Sequence, residues 1–425
     1  MALWAVRGNG RQPPDGEDVA TDERLSWPLT VGLGFQHLLA MFGATVLVPR
    51  MTGLPVSTTL LTSGAGTLLF LLLTRNRVPA YLGASLAFVV PLGAAAERSG
   101  AGPGALIGGI VVVGLLVTAL GVAVKALGVR LLETAVPPVV TGGIIVLVGL
   151  GLATYSATSF ERTPVPAAVT AVITLLLTVL GRGLLSRGCV LLGMLAGWLY
   201  AAGAGTLSAA RLAELRNAAW LGLPELITPQ LHLSVTPFVI PLVIVVAAHQ
   251  VGMVKAVAST TGRNLDGSVG DALIGGGLAT TFSGSVGGSG LIGYAESMGV
   301  LAASRVYSTA ACMVAALTAM CIAFSPKVTA LLGTVPTGVV GAASMILLGM
   351  VVLIGVRIWL NAGVDFTDPV NLGVVGTTLI AGAGDLTLTV GDVRLSGLVW
   401  GSLVIVLVHP MLRALVDASR GSSRQ

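Results

Sequence analysis

Long apolar runs, separated by short clusters of charge, proline and glycine, follow one another along the chain from Pro28 onward. A membrane-spanning helix needs roughly 20 predominantly apolar residues, so this pattern predicts about fourteen spans. We place them at Leu29–Val48, Val56–Leu73, Ala80–Ala96, Leu106–Leu127, Val139–Thr154, Val165–Leu180, Gly188–Ala202, Val235–Ala258, Val269–Phe282, Ile292–Ala303, Val306–Phe324, Val339–Val356, Pro369–Gly384 and Leu395–Val408.

The composition excludes an ordinary soluble protein. Of the 425 residues, 54% are apolar and only 10% are charged, whereas soluble domains carry about a quarter charged residues. The net charge of +5 is typical of basic cytoplasmic loops in a membrane protein, so we expect no nucleic-acid partner. The cysteines, Cys189, Cys312 and Cys321, lie in apolar runs without metal-ligand spacing, and we predict neither a metal nor a cofactor.

Two of the predicted spans, the third and the tenth, are short and interrupted by small residues (PAYLGASLAF and GSVGGSGLIGYAES). Such segments in corresponding halves indicate a transporter binding site built from broken half-helices. The halves also share a motif, because RLLETAVPPVVTGG from Arg130 resembles TALLGTVPTGVVGA from Thr329. An odd number of spans in each half inverts the second copy. We therefore predict an all-α polytopic membrane protein with two inverted repeats of seven spans.

The chain then divides into five parts. We predict a disordered cytoplasmic tail at 1–27, a first repeat at 28–203, a crossover connection with a short surface helix at 204–234, a second repeat at 235–413 and a cytoplasmic C-terminal tail at 414–425. With both termini inside, most basic residues face the cytoplasm, as the positive-inside rule requires of a plasma-membrane protein. The other side is left with Arg50, Arg98, Arg162, Arg211, Arg216, Lys327 and Arg394.

Glu296 is the strongest candidate for chemistry. An ionisable group inside a span is expensive and usually marks a substrate or ion pathway. Glu296 follows the glycine-rich run Ser283–Gly290, where we expect an extended chain before a half-helix. Free N–H groups and the helix dipole at such an N-terminus favour a carboxylate and offer donors to a polar ligand. The alternative is a structural carboxylate that pairs with a neighbouring span.

Two polar pairs interrupt other apolar spans. His249 and Gln250 lie within PLVIVVAAHQVGMV. His249 is either a hydrogen-bonded core residue or a proton-coupling group, because imidazole titrates near neutral pH. Gln36 and His37 form the pair of the first span, where we favour a bracing hydrogen bond between helices. His409 is interpreted as peripheral.

No catalytic or nucleotide-binding motif accompanies these residues. The glycine-rich run lacks the G-x-x-x-x-G-K-[ST] arrangement of a phosphate loop, which argues against an ATP-driven pump. The sequence contains no HExxH, CxxC or GxSxG motif either. We therefore predict a transport protein rather than an enzyme, and we interpret the abundant small residues as a sign of close helix packing.

The chain contains, in this order, the segments QHLLAMFGATVLVP, VPAYLGASLAF, AVPPVV, ESMGVLAASRVYST and VDFTDPVNL. Together they resemble the nucleobase-ascorbate transporters, also called the nucleobase:cation symporter 2 family, which includes bacterial uracil and xanthine permeases. The resemblance implies fourteen spans divided into a core and a gate domain, in a protein that is often dimeric. It also implies proton-coupled uptake of uracil or a related base, with one domain moving against the other.

The resemblance also implies roles for individual residues. The family signature [Q/E/P]-N-x-G-x-x-x-x-T-[R/K/G] corresponds to residues 296–305, which read ESMGVLAASR. Glu296 then accepts hydrogen bonds from ring N–H groups of the base, and Glu296 and His249 are the proton-coupling candidates. The predicted substrate-binding set is Glu296, His249, Tyr294, Ala295, Ser85, Leu86 and Leu348, supported by Gln36, His37, Gln250, Met253 and Ser297.

The eighth span departs most from the family. Uracil permeases usually show a Glu-His pair there, followed by Gly and another His, whereas this chain reads HQVGM from His249. A neutral imidazole accepts one ring N–H where a carboxylate accepts two, and an unpaired donor costs roughly 1 to 3 kcal/mol. Leu86 and Leu348 stand where aromatic side chains would cover the base. We therefore expect a substrate other than plain uracil, such as a purine or a larger heterocycle.

Two alternatives to proton-coupled import of a nucleobase-like heterocycle stay open. One is a carrier of small anions on the related seven-plus-seven fold, although a carboxylate beside the ligand would repel an anion. The other is a membrane sensor that binds a base without moving it. The expected partners are the heterocycle, protons, the lipid bilayer and, from the resemblance, a second copy of the chain.

Overall fold

The computed structural model describes residues 4–10, 18–89, 92, 102–128, 137–181, 189–232, 236–293, 301, 304–384, 386, 388–390, 393–395 and 397–422. Its helices are α1 (Trp27–Thr52), α2 (Val56–Leu73), α3 (Pro103–Leu127), α4 (Pro138–Gly151), α5 (Ala153–Arg162), α6 (Pro164–Leu180), α7 (Cys189–Gly203), α8 (Ala209–Asn217), α9 (Thr236–Thr261), α10 (Asp266–Val286), α11 (Thr309–Ala323), α12 (Pro326–Gly333), α13 (Thr337–Asn361), α14 (Pro369–Ala383) and α15 (Gly397–Ser422). The strands are β1 (Ala5–Val6), β2 (Glu23–Arg24), β3 (Leu82–Ala84), β4 (Leu291–Gly293), β5 (Leu388–Val390) and β6 (Val393–Leu395), and residues Leu86–Phe88 form a 3₁₀ turn.

The helices follow the predicted apolar runs closely. Helix α2 has the bounds predicted for the second span, and α6, α7, α9 and α14 differ from their predicted spans by one to three residues at an end. Among the described residues, five helices are long and apolar enough to cross a membrane, or six if the bent pair α11 and α12 forms one span. The predicted total of fourteen spans stays a prediction.

The helices pack in two groups, and each group draws on both halves of the chain. Helices α1, α2, α3, α9, α10 and α11 form one group, which we call the core group, and α4 to α7 with α13 to α15 form the other, the gate group. Small residues allow helices of the core group to approach each other closely; Gly114 of α3, for example, lies against the Gly277 carbonyl of α10. The names follow the predicted core and gate domains, and both that division and its boundaries stay predictions.

The repeated Val-Pro motif marks equivalent points of the two halves. Pro137 and Pro336 both have extended backbone, with φ of −63° and −62°, and each directly precedes a helix. Proline is well suited to a helix N-terminus because its fixed φ is compatible with the helix and it has no N–H that needs a partner. Each proline is followed by one of the two helices, α4 and α13, that pack against each other in the gate group.

The described parts of the two predicted tails are folded. Strand β1 pairs with β2, and Val19 forms a bridge with Val306. The indole N–H of Trp4 donates a hydrogen bond of 2.7 Å to the Thr309 hydroxyl. These apolar side chains bury surface against the start of α11, which stabilises the segment, whereas the polar residues around them had suggested disorder. At the other end, α15 continues as a helix through residues 414–422.

Candidate functional site

The third and tenth predicted spans meet as two short strands. Strand β3 pairs antiparallel with β4, with Leu82 opposite Gly293 and Ala84 opposite Leu291. All six residues of the two strands are buried. The chain is therefore extended where the sequence predicted broken helices, and the ends of the two strands lead towards Ser85 and Tyr294.

The outer edge of β3 is closed by side chains of α2. The Thr67 hydroxyl accepts a hydrogen bond of 2.9 Å from the Leu82 N–H. The Ser63 hydroxyl donates a bond of 2.5 Å to the Leu82 carbonyl. An open sheet edge is not tolerated in the hydrocarbon region, because no water is present there to pair the free backbone groups. These two hydroxyls, one helical turn apart, take the place of a third strand.

The outer edge of β4 is closed in the same way by α10 and in a different way by α9. On α10, the Thr280 hydroxyl accepts from the Leu291 N–H (3.2 Å) and donates to the Leu291 carbonyl (3.0 Å). On α9, His249 and Gln250 bind the Gly293 peptide groups: Nε2 of His249 lies 3.0 Å from the Gly293 carbonyl oxygen, and the Gly293 N–H lies 3.4 Å from Oε1 of Gln250. The second Gln250 bond, from Nε2 to the Ala272 carbonyl (3.3 Å), fixes the amide orientation.

The contact with Gly293 determines which nitrogen of His249 is available for other chemistry. A carbonyl oxygen only accepts, so Nε2 must carry the hydrogen of this bond. The neutral ring then has its acceptor at Nδ1, and protonation at Nδ1 converts that acceptor into a donor. Because the His249 side chain is partly exposed, the ring is not fully enclosed by its own helix group.

Glycines allow this dense packing. A side chain at Gly293 would collide with the sulfur of Met253, and one at Gly276 would collide with the Gln250 amide. Met253 is itself buried. The predicted supporting residues Gln250 and Met253 therefore lie directly against the strand that precedes the predicted binding segment.

Ser85 and Leu86, two of the predicted substrate-binding residues, directly follow β3, and a third, Leu348, belongs to α13. Ser85 is fully buried; its N–H donates to the Gly290 carbonyl (2.9 Å), and its hydroxyl oxygen accepts from the Ala87 N–H (3.2 Å). Leu86, two residues after the end of β3, and Leu348, on α13 of the gate group, belong to one buried apolar cluster. The structure thus brings residues from the two helix groups together beside the end of β3.

The polar pair of the first span is buried in α1. Gln36 and His37 are 8% and 1% exposed. Nε2 of Gln36 has no hydrogen-bond partner among the described residues, and the bracing bond predicted for this pair stays a prediction. Tyr294, Ala295, Glu296 and Ser297 lie outside the described residues, and their roles stay predictions.

A second polar cluster lies in the gate group at the VDFTDPVNL segment, and the sequence had placed one of its members, His409, at the periphery. His409 is instead 4% exposed, and its Nε2 lies 2.9 Å from Oδ1 of Asn371. Asp368 caps α14 and accepts a bond of 2.6 Å from Arg413 of α15. That bond and the bonds from two backbone N–H groups lower the pKa of Asp368 below its ordinary value. The Asn371 side chain thus satisfies Nε2 of the buried imidazole in this otherwise apolar group.

The hydroxyls of Thr67 and Thr280 were missed by sequence reasoning. Serine and threonine are common in membrane helices, where they often bond their own helix backbone, so composition does not distinguish the two that bind a strand. Their placement one helix before each broken segment was the available signal.

Solved transporters share this fold. The murine anion transporter Slc26a9 in the inward-facing state superimposes with a TM-score of 0.62 at 12% identity, over 92% of this chain and 69% of that chain. The transmembrane domain of the cyanobacterial bicarbonate transporter BicA gives a TM-score of 0.59 at 14% identity, over 90% and 96% of the two chains. Such low identities establish a shared fold, not a shared substrate.

Sequence relatives are closer. The pyrimidine permease RutG of Escherichia coli (strain K12) is 41% identical over 413 residues, which cover 94% of this chain and 93% of that protein. The uracil permease of Bacillus caldolyticus is 35% identical over 404 residues, which cover 90% and 91% of the two chains. The sequence profile of the permease family Xan_ur_permease matches residues 29–391. The chain therefore belongs to this family of multi-pass membrane permeases.

Proposed function

We propose that the protein imports a nucleobase or a related heterocycle across the plasma membrane by proton symport. The single observation that carries the proposal is the antiparallel pair of β3 and β4, which we call the strand crossing. In it, His249 and Gln250 bind Gly293, the last residue before the predicted binding segment. Relatives named as pyrimidine and uracil permeases support the substrate class.

The crossing suits a planar, uncharged heterocycle. The backbone beyond each strand end would offer donors and acceptors to a bound base, as in other transporters with discontinuous spans near the middle of the membrane. Glu296 would accept ring N–H groups of the base. Leu86 and Leu348, which belong to one apolar cluster, would cover its faces.

His249 offers a route for proton coupling. Its Nε2–H bond to Gly293 is retained in both protonation states, while Nδ1 changes from acceptor to donor on protonation. A neutral ring would thus accept an N–H of the base, and a protonated ring would donate to a carbonyl of the base. Proton binding can in this way alter substrate affinity without releasing the strand.

The small-anion carrier is less well supported. The similarity to BicA concerns the fold alone at 14% identity, whereas the relatives above 30% identity are named as permeases of bases. The sensor alternative differs in one measurable respect, because a sensor would bind a base without accumulating it.

Uptake into proteoliposomes tests the proposal. We expect an inward proton gradient to drive accumulation of at least one base among uracil, thymine, xanthine, uric acid, hypoxanthine, guanine and adenine. Glu296→Gln should abolish uptake, whereas Glu161→Gln, at an exposed position of α5, should transport normally. Normal uptake by Glu296→Gln would refute the assigned site, and saturable binding without accumulation would favour the sensor.

The role of His249 has its own test. His249→Gln keeps an amide donor for the Gly293 carbonyl but cannot titrate. We expect this variant to bind the base with a flattened pH dependence between pH 5.5 and 7.5 and to lose proton-driven accumulation. An unchanged pH profile would assign the coupling to another group.

A further inference from the structure

Three arginines converge on one cavity, remote from the strand crossing. The cavity has a volume of about 480 Å³ and lies where the ends of α1 and α2 meet α5, α8, α12 and α13. Its lining includes Arg50, Arg162 and Arg211, and among the described lining residues Glu214 is the one acid. No residue of β3, β4 or α9 contributes to it. A volume of this size is within the range of small-molecule sites.

Arg50 is held in place at the cavity wall. Its guanidinium donates to the carbonyls of Leu332 (2.9 Å) and Val335 (3.1 Å), just where α12 ends. Carbonyls at a helix C-terminus lack partners within the helix, so these bonds stabilise both α12 and the position of the charge. Arg211 extends from α8 to the same place, because its Nη1 lies beside Gly333, whose carbonyl also faces Arg50.

The described residues supply no close counter-charge for the arginines of the cavity. Within this part of the chain, no carboxylate lies within 4 Å of the guanidinium of Arg50, Arg162 or Arg211, and the ion pairs found there involve other residues. Like charges that share a cavity repel each other and favour a bound opposite charge. Guanidinium groups present paired N–H donors that match the oxygens of carboxylates and phosphates.

The predicted orientation strengthens this interpretation. All three arginines belong to the small set of basic residues that the sequence assigns to the non-cytoplasmic side. The positive-inside rule disfavours basic residues there, so their convergence on one cavity between the core group and the gate group needs a reason other than topology.

We propose that this cavity binds a small oxyanion, a carboxylate or a phosphate group, at the outer mouth between the two helix groups. The bound anion neutralises the arginines and connects α1 of the core group with α5 and α13 of the gate group. The anion site in this cavity is separate from the site at the strand crossing to which we assign the base.

Anion titrations of the purified full-length protein test the proposal. Benzoate and inorganic phosphate are the soluble probes, and their binding is measured by thermal unfolding of the protein in detergent. Arg211→Gln removes an exposed side chain of the cavity, and Arg216→Gln, on the same helix but outside the cavity lining, is the matched control. Because phosphate also stabilises proteins by exclusion from their surface, the difference between the two variants is the readout.

We expect Arg211→Gln to weaken the apparent affinity for the anion about tenfold, as loss of a charge-assisted bond predicts, and Arg216→Gln to behave as the parent. Nanodiscs of phosphatidylglycerol and of phosphatidylcholine then distinguish a lipid headgroup from a soluble anion, since only the former depends on the lipid. Equal responses of the two variants to every probe and lipid would overturn the proposal. Uptake by Glu296→Gln tests the transport function separately, so the two failures are distinguishable.

Discussion

The outer edges of β3 and β4 are closed by side chains at two equivalent positions of α2 and α10. One of these positions carries the same polar residue in both helices, and the other does not. Thr67 on α2 and Thr280 on α10 each bind the N–H and the carbonyl side of a leucine at the start of a strand. One turn earlier, however, α2 carries Ser63, which binds its strand directly, and α10 carries Gly276, where the Gln250 amide from α9 fills the space.

This difference concentrates the titratable chemistry in the second half. The edge of β3 is closed by hydroxyl groups of one helix, which cannot titrate near neutral pH. The edge of β4 also depends on an imidazole and an amide from α9, so α9 is bonded directly to the last residue of β4. Equivalent helices of the two halves thus close their strand edges with different side chains, and the β4 edge includes the titratable one, His249.

Placing a serine at position 276 of α10, equivalent to Ser63 of α2, should have the largest effect. In Gly276→Ser the new side chain collides with Gln250, so overpacking and lost hydrogen bonds together should cost about 2 to 5 kcal/mol. We expect a strongly reduced melting temperature and no transport. The double variant Gly276→Ser with Gln250→Ala removes the collision and should recover part of the stability; no recovery would show that Gln250 is not the group displaced.

Removing the amide alone should have a smaller effect. Gln250→Leu leaves the buried Gly293 N–H without its acceptor, at a cost of about 1 to 3 kcal/mol. If this cost falls on the binding-competent state, the affinity for base decreases about 5- to 150-fold. Binding titrations measure the loss, and Ser285→Ala, an exposed change on α10, serves as the control. Unaltered affinity would contradict the link between α9 and the binding segment.

The two threonines should differ in a direction that the hydrogen bonds dictate. Thr280→Val deprives Leu291 of the bonds at its N–H and its carbonyl, whereas Thr67→Val leaves the Leu82 carbonyl bound to Ser63. We expect Thr280→Val to destabilise the protein by about 1 to 3 kcal/mol and Thr67→Val by roughly half as much. Thermal unfolding of both variants in one detergent compares their stabilities. A larger loss for Thr67→Val than for Thr280→Val would contradict the assigned roles of the two hydroxyls at the strand edges.

The smallest expected effect concerns the gate group. Arg413 lowers the pKa of Asp368, so the ion pair stabilises the folded state above the ordinary carboxyl pKa of about 3.9 and loses this contribution as the pH falls through the lower folded-state value. Asp368→Asn retains a capping side chain but removes the charge. Its melting temperature should lie slightly below the parent at pH 7, and the two should converge only as the pH falls below the lowered pKa of Asp368. A constant difference at all pH values would exclude the ion pair as the cause.

The sequence predicted the helices well and the site only in part. Apolar runs such as Val56–Leu73 coincide with observed helices because lipid requires every backbone group of a span to be paired within it, which makes the signal local. The small residues of the third span likewise indicated a break, and the chain there is extended. Sequence alone did not identify His409 as buried or Thr280 as a strand partner, because each depends on a neighbour far away along the chain.

The sequence by itself therefore determined that this chain lies in a membrane and where most of its described helices run. Only the tertiary structure decided which polar groups meet: His249 with Gly293, Thr280 with Leu291, and Arg50 with Arg211 around one cavity. The physical reason is that hydrophobic length is a property of a continuous stretch, whereas the partner of a buried polar group is set by how two distant halves pack against each other.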